Sequence, residues 1–223
     1  MIHRHLEGQP IPSIQGLEFF EDIHRYRFNG EWVPYSMTQV CKGRNNYFEE
    51  TKRLPDDHPE KLRLLNAISR GDFVHLQLER FNKGEPYDYG SYGDWVRSCV
   101  ESDFWDRWEP VPGGVELAVY DPRFKIAGKL DLIVRNKESG MYALCDYKTQ
   151  SRRDSKPYNI RPQLGGYCNL MDQMPEHRHY GIEKCFAIWV RPGNTEFQPL
   201  PSDDCIQQYL AARDVFFSYY PDF

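Results

Sequence analysis

The 223-residue sequence lacks several features that would assign it to a common class of protein. No stretch approaches the roughly 18 uncharged apolar residues of a membrane-spanning helix, and neither an internal repeat nor a low-complexity tract is present. Basic residues are not in excess, since 28 Lys and Arg stand against 33 Asp and Glu, a net charge of −5. A uniformly basic nucleic-acid-binding surface is therefore excluded, and no contact with a membrane is expected.

Cysteine motifs are also missing. The six cysteines are widely scattered and none forms a C-x-x-C pair, so a zinc knuckle or a compact iron–sulfur ligand set is not predicted. Residues 1–7 carry no secretion-type apolar run, and we therefore expect a cytoplasmic protein with reduced thiols. A G-x-x-x-x-G-K-[ST] loop is absent too, so this chain has no ATP-driven motor of that type.

The N-terminal part of the chain, residues 1–57, predicts a β-rich, irregular subdomain. Asn29-Gly30 is a hairpin signal between two strand-like segments, and Ser36 is placed to cap a short helix. Residues 58–223 then form the main domain. It opens with a helical stripe from Leu62 to Leu78, in which Gly71 predicts a break or a weak point.

A second helix is predicted from Asp94 to Trp108, ended by Pro110, Pro112 and Gly113-Gly114. The remaining elements follow in the order β-β-β-α-β-α. Strands are expected at 115–121, 124–135, 141–148, 185–191 and, at a sheet edge, 196–200; helices are expected at 162–174 and from a Ser202 cap onwards. This order predicts an α/β (α+β) fold with a mixed central β-sheet flanked by helices.

Acidic residues lie within the three consecutive strands. Asp146 and Lys148 are two residues apart on one strand, so their side chains project from the same face about 7 Å apart along the backbone. A carboxylate and an ammonium in this relation can share one metal-bound water, and Asp131 on the preceding strand can reach the same cation. The alternative is a solvated ion pair, but both aspartates adjoin apolar strand residues.

Four motifs occur in a family order. They are His75 in Arg-Gly-Asp-Phe-Val-His, Asp131 in Gly-Lys-Leu-Asp, Asp146 and Lys148 in Asp-Tyr-Lys-Thr, and Gln163 and Tyr167 in Gln-Leu-Gly-Gly-Tyr. With them the chain resembles the PD-(D/E)XK nuclease superfamily, and within it the RecB-like exonuclease branch of phages and bacteria. The Asp-Tyr-Lys-Thr segment is also similar to the mitochondrial genome maintenance exonuclease. The resemblance implies a restriction-endonuclease-like sheet and a bacterial or phage-infected host cell.

The resemblance also implies a metal centre. His75, Asp131, Asp146 and the backbone carbonyl of Tyr147 would hold one or two Mg²⁺ or Mn²⁺ ions, and the imidazole makes manganese a credible activator. Glu116, one strand earlier, either binds a second cation or faces solvent. The branch often has Glu at the position of Asp146, and the cysteine quartet of its iron–sulfur members is missing, so we expect no cluster.

Two further groups concern the substrate. The resemblance implies that Gln163 lies near the metal water or a phosphate and that Tyr167 lies near the nucleic-acid backbone. Gly165-Gly166 between them indicates close approach of another backbone or of a substrate strand. A basic cluster beside the proposed centre could bind phosphates, with a solvated loop as the alternative. Its members are Arg152, Arg153, Lys156 and Arg161.

The sequence thus predicts a metal-dependent DNA exonuclease that hydrolyses phosphodiester bonds by attack of a metal-activated water. The catalytic set is Asp131, Asp146, Lys148, Gln163 and Tyr167. The expected partner is a DNA single strand or duplex end, with a recombination or replication protein as a second partner. Two alternatives stay open: a site-specific or structure-specific endonuclease of the same fold, and a non-catalytic nucleic-acid-binding or interaction module.

Overall fold

The computed structural model describes residues 9–42, 47–149 and 158–219. Its first sheet is antiparallel and consists of β1 (Leu17–Phe20), β2 (Arg25–Phe28) and β3 (Glu31–Trp32). Asn29 and Gly30 join β2 to β3 with φ angles of 48° and 86°, the left-handed values of a tight hairpin turn. The hairpin predicted at Asn29-Gly30 is confirmed.

The next segment leaves this small sheet and joins the main one. β4 (Tyr35–Ser36) pairs in parallel with a central strand, and α1 (Met37–Lys42) follows directly. The Ser36 hydroxyl accepts a hydrogen bond from the backbone N–H of Gln39 at 3.3 Å, and the Gln39 side chain accepts one from the Ser36 N–H at 2.8 Å. This reciprocal cap confirms the predicted role of Ser36.

The helices before the main sheet differ in part from the prediction. After α2 (Tyr47–Lys52), α3 runs unbroken over Pro59–Lys83, because Gly71 costs a helix only about 1 kcal/mol relative to alanine. The helix predicted over 94–108 is instead two helices, α4 (Gly93–Val100) and α5 (Phe104–Arg107), separated at residues 101–103. Helical spacing continues across that gap, but the chain there turns so that Phe104 packs on the sheet.

The Pro- and Gly-rich segment that was expected to separate helix from strand lies inside a strand. β5 covers Trp108–Asp121, and its pairing with the next strand slips between Pro110 and Val115. A bulge accommodates prolines and glycines that a regular ladder would exclude. The predicted start of this strand at Val115 was therefore wrong.

The main sheet continues with strands near their predicted positions. They are β6 (Ile126–Asn136), β7 (Tyr142–Thr149), β8 (Lys184–Val190) and β9 (Glu196–Pro201), with α6 (Arg161–Gln173) before β8 and α7 (Ser202–Ser218) after β9. The order is β4-β6-β7-β8-β9, with β5 also paired to β6, and β7 with β8 is parallel. β9 is the edge strand, as expected. Ser202 is the first residue of α7, and Pro201 occupies the cap position that was predicted for Ser202.

Helices cover both faces of this mixed sheet. On one face α1, α6 and α7 pack over residues such as Leu130 and Leu144, and on the other face α3 and α4 pack over Leu132 and Cys145. The predicted fold class is confirmed. Among the residues described, no helix has the length and apolar character needed to cross a membrane.

Gly165 and Gly166 in α6 give the first testable consequence of this packing. A Cβ atom at Gly165 would overlap the backbone carbonyl of Cys205 in α7, so the approach that the glycine pair indicated is that of another backbone. We expect Gly165→Ala to lower the free energy of unfolding by about 3 kcal/mol or more, because two helices must separate. Urea denaturation monitored by circular dichroism measures this change.

Gly71→Ala is the matched control. Its Cβ would meet the Oγ1 atom of Thr149 at 3.6 Å, an ordinary contact distance. This variant is expected to retain stability or gain up to about 1 kcal/mol from helix propensity. Equal losses in the two variants would contradict the role assigned to the α6–α7 contact.

Candidate active site

An opening in the sheet lies beside β6. β4 pairs with Ile126 and Ala127 at the start of this strand, whereas β7 pairs with residues from Leu132 onwards. Residues 128–131 lie between these two partners. Asp131 is therefore the last residue of β6 before its ladder with β7 begins, and Asp146 is the next residue of β7 beyond the last pair, Leu132 with Cys145.

Both aspartates are held firmly in this opening. The backbone N–H of Tyr147 donates a hydrogen bond to Oδ2 of Asp131 at 2.7 Å. The Asp146 side chain is fully buried, and its Oδ2 forms an ion pair with Nζ of Lys148. No described residue donates a hydrogen bond to the other oxygen, Oδ1 of Asp146. A buried carboxylate oxygen without a donor is costly unless a cation or another donor reaches it.

His75 comes to the same opening from α3. Its Nδ1 lies 3.8 Å from Oδ2 of Asp131, and its ring meets that of Tyr147 edge-on at a centroid distance of 5.9 Å. Leu78 on the same helix packs against the sheet, and Nδ2 of Asn82 donates to the Tyr147 hydroxyl at 2.9 Å. The helix is thus attached to β7 along the face that carries His75.

Glu116 lies on the other side of β6. It stands between the pairs Val115–Leu132 and Leu117–Leu130, opposite Asp131, and its φ of 53° is left-handed. Such a conformation is rare for a residue with a long side chain and costs about 1 to 3 kcal/mol. Its carboxylate pairs with Nζ of Lys129 at 2.5 Å and is largely buried, so Glu116 does not simply face solvent.

Gln163 and Tyr167 are adjacent on α6, where the Gln163 amide donates to the Tyr167 hydroxyl at 3.4 Å. The Tyr167 ring lies on the backbone of Gly128, since a Cβ there would be 2.7 Å from Cε1 of the ring. The negative charges of Asp146 and Asp131 contribute to a raised pKa of the Tyr167 hydroxyl, although burial is the largest cause. The pair therefore borders the acidic opening.

Burial shifts the pKa values of the titratable groups in this cluster. Burial raises the pKa of the Asp146 carboxyl to about 6, although Lys148 opposes the shift, and burial also raises that of Asp131. Burial and the charge of Asp131 together raise the pKa of Glu116 to about 7. Removal from water, and then the Lys148 charge, lower the pKa of His75 to about 4, so its imidazole is neutral at pH 7. A neutral imidazole is the form that coordinates a metal ion.

The chemistry of the donors fits a hard divalent cation. Suitable ligands are two buried carboxylates, a neutral imidazole and the carbonyl of Tyr147. Oδ1 of Asp146 has no hydrogen-bond donor among the residues described and can bind the cation. Within the described ranges, however, no three His, Cys, Asp or Glu side chains already stand in a ligand arrangement. The Asp146 carboxylate faces Lys148 instead, so binding of an ion requires these side chains to adjust.

Lys42 and Cys41 at the end of α1 are close to the centre, although no local sequence pattern indicates it. Burial and the nearby Lys148 charge lower the pKa of the Lys42 ammonium. Burial, and then the charge of Asp146, raise the pKa of the Cys41 thiol. Both residues are about 100 positions away from the strands in sequence. Only the parallel pairing of β4 with β6 brings α1 to this place.

The predicted basic cluster is only partly described. Arg152, Arg153 and Lys156 lie outside the described residues. Arg161 is the first residue of α6, where its charge acts on Cys205. In the described part of the chain, no ion pair or hydrogen bond joins Arg161 to the carboxylates of the opening.

A family model matches this part of the molecule. The model of the PD-(D/E)XK nuclease superfamily covers residues 100–212, which is 113 of the 223 residues. The chain belongs to the PD-(D/E)XK nuclease superfamily. Enzymes of this superfamily are generally metal-dependent phosphodiesterases that use Mg²⁺ or Mn²⁺. The matched span contains the two aspartates, Lys148 and the Gln163–Tyr167 pair of this PD-(D/E)XK protein, whereas His75 precedes it.

Comparison with other proteins adds little to this assignment. The crystal structure of SSO0001 aligns with the PD-(D/E)XK chain at 19% identity and a TM-score of 0.39, over 79% of this chain and 73% of that chain. No curated protein matches the sequence.

Proposed function

We propose that this superfamily member is a metal-dependent DNA exonuclease of the RecB-like branch, similar to the mitochondrial genome maintenance exonuclease. One observation carries the proposal. Asp131, Asp146 and Lys148 meet at an opening of the sheet, and an oxygen of the buried Asp146 has no hydrogen-bond donor among the described residues. In a buried ion pair with a purely structural role, the carboxylate oxygens usually all have hydrogen-bond donors, whereas here one carboxylate oxygen is left to bind a cation.

The proposed metal ligands are His75, Asp131, Asp146 and the carbonyl of Tyr147, with Glu116 for a second ion. A divalent ion bound there would neutralise charge on a phosphate and lower the pKa of a water molecule. The Tyr147 N–H keeps Asp131 in position through its 2.7 Å hydrogen bond. Lys129, paired with Glu116 at 2.5 Å, would be displaced or shared when a second ion binds.

The remaining proposed residues would act on the substrate. Lys148 is about a quarter exposed and is directed at Asp146, and it would hold the attacking water and the phosphate oxygens. Gln163 is held by its 3.4 Å contact with Tyr167 and would orient the phosphate beside the opening. Arg152, Arg153, Lys156 and Arg161 remain proposed contacts with the nucleic-acid backbone.

The exonuclease proposal draws on the helix-borne His75, which lies 3.8 Å from Asp131, and on the Gln163–Tyr167 pair. These features complete the order of motifs by which the sequence resembles the RecB-like branch. We also propose residues 1–57 as an N-terminal subdomain, whose β4 and α1 are integrated into the main sheet and its core. A cytoplasmic location and a recombination or replication partner stay predictions.

A substrate panel tests the proposed activity. End-labelled linear single- and double-stranded DNA and covalently closed circles are incubated with Mg²⁺, Mn²⁺ or chelator, and products are resolved on a denaturing gel. We expect linear DNA to be shortened from an end while closed circles survive, because an exonuclease requires a terminus. Cleavage of the circles would identify the endonuclease alternative instead. Absence of hydrolysis with every metal would favour the non-catalytic binding module.

A further inference from the structure

A second candidate site lies where the start of α4 and the turn before it contact α3. Here a cavity of about 370 Å³ is bounded by the 3-10 helix at residues 90–92, the start of α4 and Pro192. Its volume is within the range of roughly 300 to 1,000 Å³ that is typical of small-ligand sites. Three aromatic side chains, Tyr89, Tyr92 and Trp95, contribute to its lining, together with Arg97 and the exposed carboxylate of Asp94.

One wall of this cavity, Pro192, lies close to the edge of the sheet at which β7 carries Lys148. β7 and β8 are parallel, with Thr149 opposite Val190, so their carboxyl ends meet. Lys148 immediately precedes Thr149, and Pro192 follows Val190 by two residues. A chain bound across Lys148 therefore has the cavity as a neighbour along this edge.

Arg70 connects the cavity to the helix that carries His75. Its guanidinium lies 4.7 Å from the Trp95 ring centroid, a cation–π distance. Its Nε atom is buried without a hydrogen-bond partner, and none of the described carboxylates is within 4 Å of the guanidinium. Arg70 is partly exposed, so an anionic group such as a phosphate can reach its guanidinium and form charge-assisted hydrogen bonds with it.

The aromatic rings are held in place by a close contact with α3. Gly90 has a φ of 45°, and a Cβ at this position would be 2.5 Å from the Phe73 ring. This glycine lets residues 89–92 lie against the helix, and the Phe73 and Tyr92 rings are 5.7 Å apart. Rings fixed in advance offer a planar surface at little entropic cost. Arg97 adds a second cation 5.0 Å from the Tyr89 ring.

We propose that this cavity binds one unpaired nucleobase of the substrate, stacked on the Trp95–Tyr92 surface, while Arg70 contacts the adjoining phosphate. The proposal rests on the proposed nuclease function and deepens it, since a base enters the cavity only when it is not paired in a duplex. The enzyme would therefore act on a single strand or on a frayed end. Stacking is tolerant of sequence because every base has an aromatic face.

Fluorescence anisotropy with labelled single-stranded DNA tests this assignment. Trp95→Leu and Arg70→Gln are each made in a Lys148→Met background, so that the oligonucleotide stays intact. Each variant is expected to bind the normal strand about tenfold more weakly. An abasic strand has phosphates but no bases, so its binding is expected to change less than about threefold in Trp95→Leu. The matched control is the Arg25–Trp32 pair, a similar cation–π contact at 4.5 Å on the small sheet. Trp32→Leu should change neither affinity.

Two results of the anisotropy measurement would overturn the proposal. One is an equal effect of Trp95→Leu on the normal and the abasic strand, and the other is an equal effect of Trp32→Leu. If Trp95→Leu does not fold, the proposal is tested by crosslinking DNA that contains 5-iodouracil to the Lys148→Met protein. We expect the crosslinked residue to be Trp95 or Tyr92, and a crosslink to a residue outside the cavity would contradict the proposal. Base-dependent binding without any hydrolysis in the metal panel would leave the cavity assignment in place and refute the nuclease function. Trp95→Leu and Arg70→Gln are therefore also made in the protein that retains Lys148. Hydrolysis of single-stranded DNA at the wild-type rate by both would refute the cavity assignment and leave the nuclease function in place.

Discussion

Replacement of Lys148 with methionine is expected to lower the rate of DNA hydrolysis on the order of 10³-fold or more. The ammonium is paired with a fully buried carboxylate at the sheet opening, and no water can reproduce its charge there. Methionine retains most of the aliphatic stem, so the neighbouring side chains remain packed. The measurement is the initial rate of release of acid-soluble nucleotide with saturating Mn²⁺.

Lys184→Met provides the control for this variant. Lys184 is the first residue of β8, a partly buried lysine of the neighbouring strand that contacts no group of the opening. It should keep wild-type activity. Both variants should retain the wild-type circular dichroism spectrum, and Lys148→Met should still bind DNA. A Lys148→Met protein that cleaves at more than about one tenth of the wild-type rate would contradict the assignment.

Removal of divalent cations is expected to abolish hydrolysis completely, and addition of Mn²⁺ should restore it. The same cations should raise the melting temperature by several degrees, because a ligand that binds only the folded state stabilises it. The effect has a physical origin in the raised pKa values of Asp146 and Glu116, about 6 and 7. A carboxyl group whose pKa is raised in the folded protein destabilises the fold when it ionises. This loss of stability is present above the raised pKa and disappears as the pH falls through it. A bound cation offsets this cost.

Asp146→Asn separates this effect from unspecific ion binding. The variant loses one buried negative charge, so its melting temperature should respond at least several-fold less to Mn²⁺ than that of the wild type. Glu60→Gln changes an exposed carboxylate on the first turn of α3 and should leave the response unchanged. Hydrolysis that persists in excess chelator, or a thermal response that survives in Asp146→Asn, would refute a cation at this position.

Local patterns were sufficient to predict the main sheet and most of the acidic cluster. Alternation along β7 placed Asp146 and Lys148 on one face, and the turn at Asn29-Gly30 and the cap at Ser36 depend only on nearby residues. The glycine of the Gly-Lys-Leu-Asp motif has a reason that the sequence did not reveal. Gly128 leaves room for the Tyr167 ring, which brings α6 to the strand that carries Asp131.

Other features depend on pairing between distant segments and could not be predicted. The bulge that carries β5 past Pro110 exists because β6 supplies a partner on either side of the irregularity. Lys42 reaches the opening only through the β4–β6 pair, and the Arg70–Trp95 contact joins two helices across a loop. Neither has a local signal. The helix break at residues 101–103 was missed because periodicity does not report a change of direction.

The pairing of β4 with β6 also bears on how the protein can be divided. Met37 on α1 fills the space above Gly128 and Gly166, so the N-terminal segment supplies part of the wall around the acidic opening. The region matched by the superfamily model, residues 100–212, therefore lacks this part of the wall. A shortened clone that begins at residue 100 would carry the carboxylates, Lys148 and α6, yet would lack α1 and the α3 helix that carries His75.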